Sequence, residues 1–512
     1  MKNNQKNGIN TSEMAGRSFT YLYLLVMLGL FQPFFPGTIF GILEVKNAFF
    51  IIAAGIYICL TAVPFLYQGI VRIKEGQKPE VRSADLFALL YLVAILVSTM
   101  AAWNRTYAVF GNTEKRTGAI VMLLCLMTCY AIKKYARVDA IVIWAGLLGS
   151  LFIYLCGVFT ACKVNFLGLQ TGMTEAQRMI FPSPIGNTDF NASYISLMLP
   201  AAMAMFLICQ EAFTKRVLAV YSYIGVLAVF CIRAESAVVM LGSSFALLLY
   251  FALEQEQWIL RYISMVQIFI AANITVFLMK LLLKDHMYNF DGLGGFFIQP
   301  GMIAFEVLLF IFLFWLQKKK DCLKEKHIRQ LQKLYKYAVL IIIIIGVAVA
   351  AAVNLLFQDQ AAGTILKYLL LTDQSFSGRG YIWIRTVKAF MELPIVNQIF
   401  GCGLGCYHCF IEPFYGAEMY EMAQILFYEP HNDFLYVLST TGIVGVIGFF
   451  GMIGSAIVSA LRRRKDREMQ LMVIAALAAF LVQGLVNSFT IFVIPFLFII
   501  LGMADSEPKG RV

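Results

Sequence analysis

Three arginines and one histidine are the side chains best suited to chemistry in this sequence: Arg116, Arg233, Arg379 and His431. A guanidinium is permanently charged, and its planar fork bonds two oxygens at once, so it suits a phosphate or diphosphate. Arg233 lies in Cys231-Ile232-Arg233-Ala234-Glu235-Ser236, between two apolar runs. An ionised group there needs a cavity, an anion or a partner, with Glu235 and snorkelling as the plainer alternatives. His431, one of four histidines, has a side-chain type whose ordinary pKa suits a general base. Glu429, two residues before it, is placed to orient it; the plainer alternative is a satisfied histidine at a helix entry.

These residues need elements to position them. Trp383, Ile384, Val387, Phe390 and Met391 recur at helical spacing, with Arg385, Lys388 and Glu392 opposite, which predicts an amphipathic helix. Ser377 is placed to cap its first turn, which puts Arg379 at a helix N-terminus, where backbone N–H groups favour anions. Gly401, Gly403 and Gly405 then make a glycine-spaced turn. Within it Cys402, Cys406, His408 and Cys409 read C-x3-C-x-H-C, four soft ligands that invite zinc. The spacing is unlike a two-knuckle site, and close backbone approach at the glycines accounts for the segment more simply. The expectation is no metal and no cofactor.

Composition sets the frame. Of 512 residues, 60% are hydrophobic and 14% charged, an excess that over such a length must be hidden from water by lipid. Disordered, nucleic-acid-binding and disulfide-stapled secreted classes are excluded on the same ground. About fourteen apolar runs are long enough to cross a bilayer, near residues 19–43, 47–71, 85–103, 117–132, 138–160, 191–212, 217–233, 235–253, 262–283, 296–317, 338–357, 434–460, 470–487 and 489–503. An even count puts both termini on one side. If that side is the cytoplasm, 28 of the 41 Lys and Arg face inward, so the net charge of +11 reflects membrane topology. The basic stretch 318–336, with Leu323, Ile328, Leu331, Leu334 and Tyr335 among its cations, reads as a short helix on the inner membrane surface.

The fold class expected is therefore all-α and polytopic, with about 12–14 transmembrane helices and one large helical extracytoplasmic loop. Residues 1–357 form an N-terminal bundle, 358–433 the loop that holds the chemistry, and 434–512 the C-terminal membrane helices. Most of the 11 cysteines fall inside apolar runs, and no disulfide framework is implied.

Several ordered pieces resemble the O-antigen ligase and polymerase family of bacterial envelope glycosyltransferases. Phe110-Gly111 through Arg116-Thr117-Gly118 resembles the family's outer-loop G…R-x-G segment. Gly186-Asn187-Thr188-Asp189-Phe190-Asn191-Ala192 with Tyr194 and Pro200 resembles its G-N-x-N…A-x-Y…P helix entry, and Arg233 lies where the family's arginine would be. Ile232 and Ala234 replace the serine and glycine that commonly flank it. Arg379 with Trp383, then Gly401 to Gly405, then His431-Asn432 before Gly442-Ile443-Val444-Gly445, resembles the family's most characteristic domain.

The resemblance implies a polyprenyl-diphosphate-linked glycan donor and a glycan, lipid or protein acceptor, with no nucleic acid. It implies that Arg233 and Arg379 engage the diphosphate and that His431 activates the acceptor hydroxyl. Arg116, Asn187, Gly401, Gly403, Gly405 and Asn432 are the expected substrate-binding positions. The reaction expected is a metal-independent, inverting transfer at the outer face of the bacterial inner membrane, with both termini cytoplasmic. The rival reading is a lipid-linked glycan flippase, which should carry paired charges near helix midplanes; this chain gathers Arg, His and Glu near helix ends instead.

Overall fold

A computed structural model of the chain describes residues 2–76, 81–319, 325–357, 369–424, 426–462 and 466–506. In chain order the helices are α1 (Lys2–Leu25), α2 (Ile42–Lys74), α3 (Ser83–Met100), α4 (Arg105–Phe110), α5 (Ala119–Tyr135), α6 (Ala140–Ala161), α7 (Glu175–Ile180), α8 (Thr188–Ile208), α9 (Ala212–Cys231) and α10 (Glu235–Ala252). They continue with α11 (Glu256–Leu283), α12 (Gly292–Phe297), α13 (Pro300–Lys318), α14 (Glu325–Leu355), α15 (Arg379–Glu392), α16 (Ile395–Phe400), α17 (Tyr407–Ala423), α18 (Asp433–Arg462), α19 (Arg467–Gln483) and α20 (Ile494–Asp505). The described residues contain no strand beyond one isolated bridge, Ser183 to Gly186. Among the described residues, ten helices (α2, α3, α6, α8, α9, α10, α11, α13, α14 and α18) are long and apolar enough to cross a bilayer, so the chain is a polytopic membrane protein.

The remaining apolar runs are shaped by local chemistry. The run 19–43 is not one helix: α1 passes through a π turn, Val26–Leu30, and ends before Pro33 and Pro36. Proline has no N–H to continue the ladder. The last run yields α20, whose 12 residues rise only about 18 Å at 1.5 Å per residue. The irregular backbone before it, Asn487–Val493, is buried in protein, the condition under which non-helical chain is tolerated at membrane depth.

The basic stretch departs from expectation. Its described part, from Glu325, is not a separate surface helix but the first turns of the continuous α14. Gln332 Nε2 donates to the Tyr250 carbonyl (3.0 Å) and Tyr335 Oη to the Ala246 carbonyl (2.8 Å), which pins these turns to α10. Leu323 lies outside the described residues.

The most buried membrane helix is α8, which packs on α9, α10 and α19, while α3 lies along α18 and α5 along α20. In α18, Gly442 (φ 69°, ψ −171°) breaks the helix one third of the way along. The carbonyls of Ser439 and Thr440, just before the break, accept the amides of Cys402 (3.0 Å) and Gly403 (2.9 Å). Two glycines make this contact possible. A Cβ on Gly401 would lie 2.3 Å from the Thr440 carbonyl, and one on Gly442 would lie 2.3 Å from the Ile399 carbonyl. The break in α18 and the glycine turn therefore interlock.

Candidate active site

The first half of the site is built on α15. Phe376, Ser377 and Gly378 all have positive φ (53°, 60° and 87°), so the chain turns sharply into the helix. Gly378, not Ser377, occupies the cap position, and no side chain caps the first turn; the expected serine cap is corrected on this point. The left-handed cap conformation is the one glycine adopts without steric cost. Arg379 is the first residue of α15, as its spacing predicted. Its Nη2 donates to Asp189 Oδ2 (2.8 Å), in the first turn of α8, and to Asn487 Oδ1 (3.4 Å). Its Nε is buried with no hydrogen-bond partner among the described residues, as is the Nε of Arg116.

One helical turn beyond Arg379, and on the same face, Trp383 donates from Nε1 to the Pro430 carbonyl (2.8 Å) and packs its ring against Phe376. Pro430 immediately precedes His431, so α15 holds an arginine and also sets the chain entering the histidine. On the opposite side of α15, Arg385 pairs with Glu418 of α17 (2.8 Å) and with Asp373. The two helices are thereby clamped together.

His431 itself has a left-handed backbone (φ 49°). Its Nδ1 stands 3.6 Å from Glu429 Oε1, while the other carboxylate oxygen of Glu429 is ion-paired with Lys115. Lys115 is 1% exposed, and its Nζ also donates to the Phe489 carbonyl (3.3 Å) and lies over the Tyr436 ring. Burial pushes the Glu429 carboxyl up, but the charges of Lys115 and His431, with hydrogen bonds from Lys115 and Ser488, outweigh it and hold the group below its ordinary value. A carboxylate so held can orient the His431 ring.

One irregular segment ties these parts together. Asn487 accepts from Arg379, Ser488 Oγ accepts from the Asn432 amide (3.1 Å), and the Phe489 amide donates to Asp433 Oδ1 (2.7 Å). Asn432 caps α18 through Oδ1 on the Leu435 amide (3.0 Å), and its Nδ2 donates to the Leu485 carbonyl (2.8 Å). Arg379, Asn432, Glu429 and His431 thus share a frame.

The other expected site residues are placed differently. Arg233 (φ 58°) donates to the carbonyls of Met179 (3.1 Å) and Asn289 (3.4 Å) and lies over the Tyr288 ring. Burial holds its guanidinium below the ordinary value. It joins the His431 frame only indirectly: Ser236, three residues on, accepts from Gln483 (3.0 Å) and Asn487 (3.2 Å). Arg116 pairs with Glu44 (3.2 Å), next in sequence to Lys115. The Asn187 side chain caps α8, accepting from the Phe190 amide (2.8 Å). Gly401 and Gly403 meet α18, and the Gly405 carbonyl accepts from Asn112 (3.2 Å), so the visible work of all three is backbone packing. Among the described residues no group of three or more His, Cys, Asp or Glu side chains is arranged to hold a metal ion.

With this geometry in view, the comparison with known families is direct. Residues 299–450 match the family model described as O-antigen ligase. No curated protein matches the chain. The match supports an O-antigen ligase- or polymerase-like family, and with it a glycosyltransferase-like enzyme of polysaccharide biosynthesis. The matched segment runs from α13 into α18 and contains Arg379, Trp383, the glycine turn, Glu429, His431 and Asn432. Lys115, Asp189, Asn487 and Ser488, which hold that segment's polar residues in place, come from outside it.

Sequence reasoning did not single out Lys115, Asn487 or Ser488. Lys115 falls with Arg105 and Arg116 in the outer loop 104–116, and Asn487 and Ser488 fall where one apolar run ends and the next begins. The signal that could have found Asn487 and Ser488 is a pair of polar residues where two apolar runs meet; Lys115 carries no such signal.

Proposed function

We propose that the protein transfers glycan from a polyprenyl-diphosphate donor to an acceptor hydroxyl at the outer face of the bacterial cytoplasmic membrane, both termini being cytoplasmic. His431 removes the proton of the acceptor hydroxyl as that oxygen attacks the anomeric carbon. Glu429 holds the imidazole through Nδ1, which leaves Nε2 to face the acceptor. Lys115 keeps Glu429 ionised, so that its carboxylate faces the imidazole and fixes the ring's orientation.

The leaving group is a diphosphate, and the negative charge developing on it is met by guanidinium. Arg379 is suited to this at the start of α15, where its Nε has no partner of its own. Arg116 adds a second cation beside Lys115, and Arg233 a third through the Ser236–Asn487 link. Asn432 holds the entrance of α18 in place, and Asn187 does the same for α8, which carries Asp189. The glycine turn brings Cys402 and Gly403 onto α18. A single in-line attack inverts the anomeric carbon. No step calls for a metal, because arginine supplies the positive charge.

The observation that carries this reading is the placement of Glu429 between Lys115 and His431, in a frame that also holds Arg379. It is tested by incubating the bilayer-reconstituted protein with a polyprenyl-diphosphate oligosaccharide and following glycan length with and without His431→Ala. A ladder of longer lipid-linked glycans, lost in the variant, supports transfer to a second lipid-linked unit. Donor movement across the bilayer with no new glycosidic bond would replace the proposal by a flippase.

A further inference from the structure

Cys406-Tyr407-His408-Cys409 is a C-x-x-C sequence, and the structure sets it across the start of a 17-residue helix: Cys406 is the cap of α17 and Cys409 lies in its first turn. The two sulfurs differ in surroundings. Cys406 is fully buried and its thiol donates to the Asn104 carbonyl (3.2 Å). Cys409 is partly buried, less so than Cys406, and its sulfur stands 3.3 Å from His408 Nε2. His408 is itself held between the rings of Tyr107 and Tyr428. A less buried sulfur beside a histidine, paired with a buried sulfur one turn away at a helix N-terminus, is the division of labour that thiol–disulfide exchange requires.

We propose that Cys406 and Cys409 form a redox-active dithiol that is converted reversibly to an internal disulfide by a disulfide of the glutathione type. This goes beyond glycosyl transfer and does not depend on it. Cys409, as thiolate, attacks one sulfur of RS–SR, forming a mixed disulfide and expelling RS⁻, which takes up a proton. Cys406 then loses its proton and attacks the Cys409 sulfur, expelling the second thiol. The dithiol is oxidised by two electrons and RS–SR is reduced to two RSH.

The electrostatics agree with these roles. Cys406 beside it and the hydrogen bond and charge of His408 hold the Cys409 thiol below its ordinary value, although burial opposes them. The neighbouring Cys409 and burial push the Cys406 thiol up. Oxidation also removes the S–H donor from the Asn104 carbonyl, at the residue that caps α4. The redox state is therefore felt in the loop that carries Lys115.

The test is equilibration of the full-length protein in nanodiscs with glutathione buffers of graded reduced-to-oxidised ratio, followed by acid quench, alkylation and peptide mass spectrometry. The expected result is a Cys406–Cys409 disulfide that appears in oxidising buffer and is reversed in reducing buffer. Cys406→Ser, which keeps a donor for the Asn104 carbonyl, should stop at a glutathione adduct on Cys409, and Cys402→Ser should change nothing. Free thiols at both positions across the whole series, a bond to Cys402 instead, or no adduct on Cys409 in Cys406→Ser would overturn the proposal. None of these readouts uses glycan transfer.

Discussion

Glu429 faces Lys115 with one carboxylate oxygen and stands 3.6 Å from His431 Nδ1 with the other. Two residues of one loop thus act as a unit with a lysine from a distant one. If His431 is the base, His431→Ala should lower kcat by about 10²- to 10⁴-fold, the usual contribution of a positioned general base. Donor KM should change little. Single-turnover transfer from a lipid-linked oligosaccharide reads both, and a KM effect alone would count against the base assignment.

The Lys115–Glu429 pair makes a stability prediction. Removing one partner of a buried pair costs about 3–5 kcal/mol, because the other charge is left unpaired. Glu429→Leu and Lys115→Met should each lower the Tm of the detergent-solubilised protein more than the double variant does. Thermal melts of the four proteins measure the coupling; additive losses would mean that the pair is not acting as one.

The same carboxyl has a pH signature. Its folded-state pKa lies below the ordinary 4.5, so its stabilising contribution is full above about pH 4.5 and is lost as pH falls through the depressed value. The Tm advantage of the native protein over Glu429→Gln should therefore be level near neutrality and shrink only in acid. A gap that widened as pH fell would reverse the sign and refute the assignment.

Arg379→Lys separates charge from geometry. It preserves the positive charge but loses the Nη2 that donates to both Asp189 and Asn487. Hydrogen bonds to charged groups are worth about 1.5–3 kcal/mol, so transfer efficiency should fall about tenfold to a hundredfold with the fold intact. Equal activity of the lysine variant would reduce Arg379 to a point charge.

Gly442→Ala tests the interlocked turn. The position has φ 69°, and the added Cβ would lie 2.3 Å from the Ile399 carbonyl. Backbone strain of this kind costs about 1–3 kcal/mol, before the close contact is counted. A clear drop in Tm is expected, and an unchanged melt would show that α18 can bend elsewhere.

Trp383→Phe keeps a ring against Phe376 and deletes only the hydrogen bond to the Pro430 carbonyl. A net loss of about 1 kcal/mol should lower kcat several-fold without changing KM. A matching loss of Tm with unchanged kcat would make the tryptophan structural only.

What the sequence determined by itself is local or statistical: long apolar runs require a bilayer, the apolar spacing of Trp383 to Met391 makes α15 amphipathic, and Gly401 to Gly405 permit a close turn. Each follows from residues within a few turns of one another. The site is assembled differently. Lys115 meets the Phe489 carbonyl across 374 residues, Arg379 meets Asp189 across 190, and Asn432 meets Ser488 across 56. No local periodicity encodes such pairings, and a serine or asparagine between apolar runs has the same composition whether it ends a helix or braces a site. Only the packing of α8, α15 and the Asn487–Phe489 segment decided that Arg379 reaches the segment bracing the His431 loop while Arg233 turns to Met179, Tyr288 and Asn289, because buried polar groups take the partners that tertiary contact brings within reach.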